Sequence, residues 1–187
     1  MTHFPRILGI DPGSRVVGFA LIGAKKPIPR VPADWKILDA GIMRANANLA
    51  MPPRLSELHA TLFELVAELE PTEAGIEKAF QGVNAQSAIK LGEARGALIA
   101  AIGRHGIPVH EVTPAEVKRV VAGHGAASKE QVYQALQALM GFNKGALPLD
   151  ASDALAIAFA VSLKAFLPEP ATRRGTPLKR RFSQPEY

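Results

Sequence analysis

The chain has 187 residues, 48% hydrophobic and 21% charged, which is enough apolar material for one sizeable core and too much for global disorder. Lysine and arginine outnumber aspartate and glutamate 22 to 17, and the resulting charge of +5 suits a polyanionic partner without requiring one. Cysteine is absent, which excludes disulfide scaffolds, thiolate zinc sites and cysteine nucleophiles and leaves any metal to oxygen ligands or the five histidines.

Met1–Gly9 does not read as a signal peptide, because Asp11 and Pro12 interrupt the apolar stretch. The longest apolar run, Ala154–Leu163, falls far short of the roughly 18 residues a membrane span needs. A cytoplasmic protein without membrane association is the expectation. Arg6–Asp11 is a short apolar run ending in an acid and Pro-Gly, the pattern of a buried strand running into a tight turn. Val16–Gly23 and Trp35–Arg44 predict two further strands in a meander with the first, separated by a proline-rich surface loop at Ala24–Ala33. Pro52–Leu69 places Leu55, Leu58, Leu62, Leu65 and Leu69 on one helical stripe, which Pro71 stops. Ala74–Glu77 reads as a strand, Asn84–Arg104 as a long helix ending at Gly106, and Pro108–Val112 as another strand. Thr113-Pro-Ala-Glu116 is a capping box with proline at the first helical position, and Ser128-Lys-Glu-Gln131 opens a helix the same way. A last helix spans Leu149–Leu167. Strands alternating with helices after a meander predict a mixed, three-layer α/β domain over residues 1–167. Residues 168–187 hold four prolines, five basic and two acidic side chains, and predict a flexible basic arm, either merely solvated or in contact with DNA.

Four acids stand among core residues, where a lone carboxylate is costly unless compensated. Asp11 ends an apolar strand, and Glu77 closes the run Ala74-Gly-Ile. Asp150 and Asp153, three apart, project from one face at the start of an otherwise apolar helix. Each has a bland explanation: a turn residue at Asp11, a helix cap at Asp150, a favourable dipole position at Asp153. Brought together, four carboxylates would repel unless hard cations neutralised them, and Mg²⁺ or Mn²⁺ suits oxygen ligands. A zinc site is disfavoured, since His105, His110 and His124 lack any i, i+4 pairing.

Ile7-Leu-Gly-Ile-Asp-Pro-Gly-Ser-Arg15, with Gly18 after it, resembles the opening of the RuvC family, the bacterial Holliday-junction resolvases. So do Ile76-Glu-Lys-Ala-Phe80, the block Asn84-Ala-Gln-Ser-Ala-Ile-Lys-Leu-Gly-Glu-Ala-Arg-Gly96 and Asp150-Ala-Ser-Asp-Ala-Leu-Ala-Ile-Ala158, in the family's order. The resemblance covers about Arg6–Phe166. It implies an RNase H-like, integrase-type fold, a mixed five-stranded sheet flanked by helices, and a homodimeric, Mg²⁺-dependent endonuclease acting on four-way DNA junctions in recombination and repair. Carried over by motif, the metal-binding acids are Asp11, Glu77, Asp150 and Asp153, with two Mg²⁺ ions per subunit and Mn²⁺ as a substitute. Phe80 matches the aromatic the family places against bases at the crossover, and Lys118 and Lys129 match basic residues near the active site. A branch-migration helicase complex of the RuvA/RuvB type is the implied partner.

Two cations about 4 Å apart would activate the attacking water and stabilise the leaving oxygen. Asp11 would bridge them, with Glu77 and the pair Asp150/Asp153 on either side and Lys129, or else Lys118, as a fixed cation. Arg15, Lys78, Lys90, Arg95, Lys118, Arg119 and Lys129 are candidate phosphate contacts. Ala88, Gly92, Gly96 and Ala100 form a small-residue ridge that could serve a dimer interface or pack on the chain's own sheet. Three other readings compete. An actin or sugar-kinase type ATPase needs two lobes, for which the chain is too short. A YqgF-like nuclease acting on RNA would lack the Asn84–Gly96 block. A non-catalytic junction binder would gain from losing its acids.

Overall fold

The computed structural model describes residues 4–78, 85–143 and 145–166. Its strands are β1 (Arg6–Asp11), β2 (Val16–Ala24), β3 (Trp35–Arg44), β4 (Glu73–Glu77) and β5 (Val109–Val112). Its α-helices are α1 (Met51–Leu69), α2 (Ala85–Gly103), α3 (Pro114–Ala122), α4 (Lys129–Met140) and α5 (Leu149–Phe166). One sheet runs in the order β3-β2-β1-β4-β5. The meander β1–β2–β3 is antiparallel, whereas β4 joins β1, and β5 joins β4, in parallel. The predicted mixed α/β architecture is therefore the one observed.

Strand alternation divides the core into two layers. On one face Ile7, Ala20 and Ile22 pack beneath α5, with α3 and α4 contributing Val117, Val121, Val132 and Leu136. On the other, Leu8, Ile10, Leu21 and Ile76 meet Leu58, Leu62 and Val66 of α1 and Leu98 and Ile102 of α2. Every residue of α5 from Ala151 to Ser162 except Asp153 is buried, which explains why this helix reads as apolar on all sides. It lies close on the strands because two facing residues lack side chains: a Cβ on Gly9 would stand 2.1 Å from the carbonyl oxygen of Ala154, and one on Gly18 would stand 2.0 Å from that of Asp150. These two contacts fix both the height of α5 and the position of its first turn.

Small departures from the sequence expectations have local causes. Ala24 still pairs with Trp35, so the proline-rich loop starts one residue later, and Pro32–Asp34 forms a 3-10 turn. Helix α1 stops at Glu70, left-handed at φ 44°, whose N–H donates to the Val66 carbonyl, before Pro71 is reached. Its buried stripe is Leu58, Leu62, Val66 and Leu69, with Leu55 and Leu65 on the flanks. Both capping boxes form, Thr113 with Glu116 and Ser128 with Gln131. The small-residue ridge of α2 does not pack on the sheet. The helix buries Ala94, Leu98, Ala101 and Ile102, while Gly92 and Gly96 have nothing within 4 Å of where a Cβ would stand. No described helix is long and apolar enough to cross a membrane.

Candidate active site

The placement of the acids follows from strand parity. Ile10 and Ile76 are register partners in the parallel pair β1/β4, and both point into the layer beneath α1 and α2. The next residue in each strand is Asp11 and Glu77, so both acids face the opposite side, toward α5. Asp11 pairs across β1/β2 with Gly18, the residue on which the first turn of α5 rests. Asp153, one turn further along α5, thereby comes down beside the two strand-end acids.

The result is a cleft of about 210 Å³ lined by Asp11, Glu77, Asp153, Lys118 and Lys129. Pro114 and Val117 of α3, Val132 of α4 and Ala156 and Ile157 of α5 form its apolar wall. Burial, followed by repulsion from Asp153 and Glu77, pushes the Asp11 carboxyl from 3.8 up to about 7, with Lys129 opposing and Asp150 adding the weakest push. Glu77 is likewise raised, chiefly by burial and then by Asp153, and is drawn back by Lys129 and Lys118. Lys129 Nζ donates to Asp153 Oδ2 at 2.6 Å, a bond that raises the lysine above its ordinary value. Three buried or half-buried carboxylates thus share one cleft with two ammonium groups. Such a cleft is short of positive charge.

Asp150 departs from the expected four-acid cluster. It is exposed at the rim, does not line the cleft, and reaches Asp11 only through space. The i, i+3 spacing puts it on the same helix face as Asp153, but one turn out toward solvent. Among the described residues no three acids or histidines are already gathered at metal-ligand spacing. The donor set nevertheless fits a hard divalent cation: it is all oxygen, partly desolvated and mutually repelling.

Among the expected phosphate contacts, Arg15, Lys78, Lys90 and Arg119 are exposed, and Lys118 and Lys129 flank the cleft. Arg95 is a correction. Its side chain is only 16% exposed, its Nε donates to the Glu77 carbonyl at 2.9 Å, and its Nη2 lies 2.8 Å from Glu111 Oε2. It is built into the fold and is not displayed to a phosphate. Glu111 and the apolar wall were not singled out from the sequence; an arginine set between Ala94 and Gly96 on a half-buried helix was the available signal. Phe80 and the tail 168–187 lie outside the described residues.

Residues 7–161 match the family model described as Crossover junction endodeoxyribonuclease RuvC. The RuvC proteins of Pelobacter propionicus and Chlorobaculum parvum are 42% and 39% identical to this chain, each match covering 82% of it and 83% and 79% of the relative. Among solved structures, T. thermophilus RuvC in complex with Holliday junction substrate superposes with a TM-score of 0.77 at 27% identity, covering 86% of this chain and 94% of that one. The yeast mitochondrial Holliday junction resolvase Ydc2, with a TM-score of 0.59 at 17% identity, shares the fold. With its RNase H-like sheet and its acidic cleft at the ends of β1 and β4, the chain belongs to the RuvC family of crossover junction endodeoxyribonucleases.

Proposed function

We propose that the chain resolves four-way DNA junctions by cutting two symmetric phosphodiesters in a cleft where Asp11, Glu77 and Asp153 hold divalent metal, with Asp150 joining from the rim. The observation that carries this reading is the desolvation of Asp11 beside Glu77 and Asp153, an arrangement that costs stability unless a cation compensates it. Mg²⁺ fits the oxygen donors, two ions per subunit suit the four acids, and Mn²⁺ would substitute. When bound, the cations would polarise the scissile phosphate and acidify the attacking water. Asp153, whose Oδ2 accepts from Lys129, would help hold the metal, and the Lys129 ammonium beside it would stabilise charge developing on the phosphoryl oxygens. Lys118 also lines the cleft and offsets the charge of Glu77.

Two symmetric nicks need two sites related by a two-fold axis. The ridge Ala88, Gly92, Gly96 and Ala100, left open where Gly92 and Gly96 meet nothing, supports a homodimer through α2. Arg15, Lys78 and Lys90 would hold the junction's phosphates, and Phe80 would stack on a base at the crossover. A branch-migration helicase complex is the partner that would present the junction. We read the described fold, with residues to 167, as the nuclease domain and 168–187 as a basic arm. The test is cleavage of a labelled four-way junction with and without Mg²⁺. Paired symmetric nicks that require metal are expected, and binding without cutting would leave a junction-binding protein instead.

A further inference from the structure

We propose that Arg95 is a positioning residue that fixes the direction of the Glu77 side chain from outside the cleft, an assignment that rests on the reading of Glu77 as a metal-binding acid. Glu77 is the last residue of β4, where a strand ordinarily frays. Its backbone is held at both ends of one peptide unit. The carbonyl oxygen of Glu77 accepts from Arg95 Nε at 2.9 Å, and the N–H of the same peptide, which belongs to Lys78, donates to the Val112 carbonyl at 2.8 Å. With both ends pinned, rotation about the Glu77 Cα–C bond is restricted, and with it the direction in which the Cα–Cβ bond launches the side chain toward the cleft.

The arginine is itself restrained. Its side chain is 16% exposed, and Nη2, shielded from solvent, lies 2.8 Å from Glu111 Oε2 in an ion pair that departs from hydrogen-bond geometry. Glu111 is the register partner of Ile76 on β5. One guanidinium on α2 thus ties together the ends of β4 and β5. A lysine has a single terminal ammonium and cannot present a planar Nε–H to the carbonyl while also meeting Glu111. Groups that hydrogen-bond a ligating side chain typically govern metal affinity and rate by about 10–100-fold, and a tie to the ligand's backbone is expected to act in the same direction within that range.

The experiment compares wild type with Arg95→Ala, Arg95→Lys, Glu111→Gln and Glu77→Gln. Junction affinity is read in metal-free buffer, single-turnover cleavage at saturating junction and Mg²⁺, and Mn²⁺ affinity by calorimetry without DNA. Arg95→Ala is expected to leave junction affinity unchanged while lowering both the cleavage rate and the Mn²⁺ affinity by about 10–100-fold. Arg95→Lys shows the same separation to a smaller extent and serves as the deciding variant should Arg95→Ala fail to fold. Glu111→Gln, which keeps the bond to the Glu77 carbonyl, stays within about fivefold of wild type, the span of a half-exposed ion pair. A cleavage rate or Mn²⁺ affinity left at the wild-type value in the Arg95 variants overturns the assignment, whatever happens to junction binding. Glu77→Gln separates the two levels: if it still cuts, the reading of the cleft fails, and if it is inactive while the Arg95 variants cut normally, only the positioning role fails.

Discussion

Replacing Asp11 by asparagine should abolish cleavage and, in metal-free buffer, make the protein more stable. The folded state holds the Asp11 carboxyl at about 7, against 3.8 for the free side chain. Because the folded value is the higher one, the folded protein binds the proton more tightly, and stability is lost as pH rises from about 4 through 7. Three pKa units at 1.36 kcal/mol each set a ceiling of about 4 kcal/mol, which solvent access to the cleft reduces to about 2 kcal/mol. Asparagine mimics the protonated form and escapes that cost. For a chain of this size about 2 kcal/mol corresponds to a melting temperature raised by about 4–8 °C at pH 8. The gain should shrink by more than half at pH 5 and vanish near pH 4, because Asp11, already protonated in the folded wild type below pH 6, is then becoming protonated in the unfolded chain too. Mg²⁺ should narrow the difference from the other side, stabilising wild type by about 2.7 kcal/mol at a hundredfold excess over its dissociation constant and Asp11→Asn much less. Thermal melts of both proteins across pH 4–8, with EDTA or Mg²⁺, measure all of this. An Asp11→Asn protein that melts at or below wild type at pH 8, with the same pH dependence, refutes the claim that this carboxylate is held against its own preference.

Other outcomes follow from the same geometry. Lys129→Ala removes the ammonium that holds Asp153 and counteracts the raised pKa of Asp11 and Glu77; single-turnover cleavage should fall by about 10²–10³-fold and the acidic limb of its pH profile should move to higher pH. Gly18→Ala drives a methyl group against the Asp150 carbonyl and should cost about 1–3 kcal/mol in a denaturant melt together with most of the cleavage, whereas Gly92→Ala, in open space, should leave the fold intact. Junction affinity measured across salt concentrations should fall linearly on a log–log scale, and Lys90→Ala or Arg15→Ala should reduce that slope by about one if each contacts a phosphate, while Arg95→Ala should not.

Much of this was legible in the residues because the decisive features are local. The two capping boxes are complete within four residues each and form as written. Asp11 and Glu77 each close an apolar strand, and period-two alternation then forces them onto one face once β1 and β4 are parallel neighbours. What could not be read depends on how helices are rotated on the sheet. Arg95 looks like any other basic residue of a DNA-binding protein until the azimuth of α2 turns it inward to Glu77 and Glu111. The same rotation leaves the glycine ridge open, which spacing alone could not decide. Asp150 and Asp153 share a helix face, but which of them overhangs the cleft is set by the seat of α5 on Gly18, a contact between distant segments.

The cleft draws one acid from β1, one from β4, one from α5 and its two lysines from α3 and α4. None of these segments can hurt a genome alone. A locally unfolded molecule that lifts α5 away would part Asp153 from Asp11 and Glu77 and so take the proposed site apart. On that proposal, cutting competence would belong to the folded molecule alone, and damage to the fold would fail safe for the chromosome.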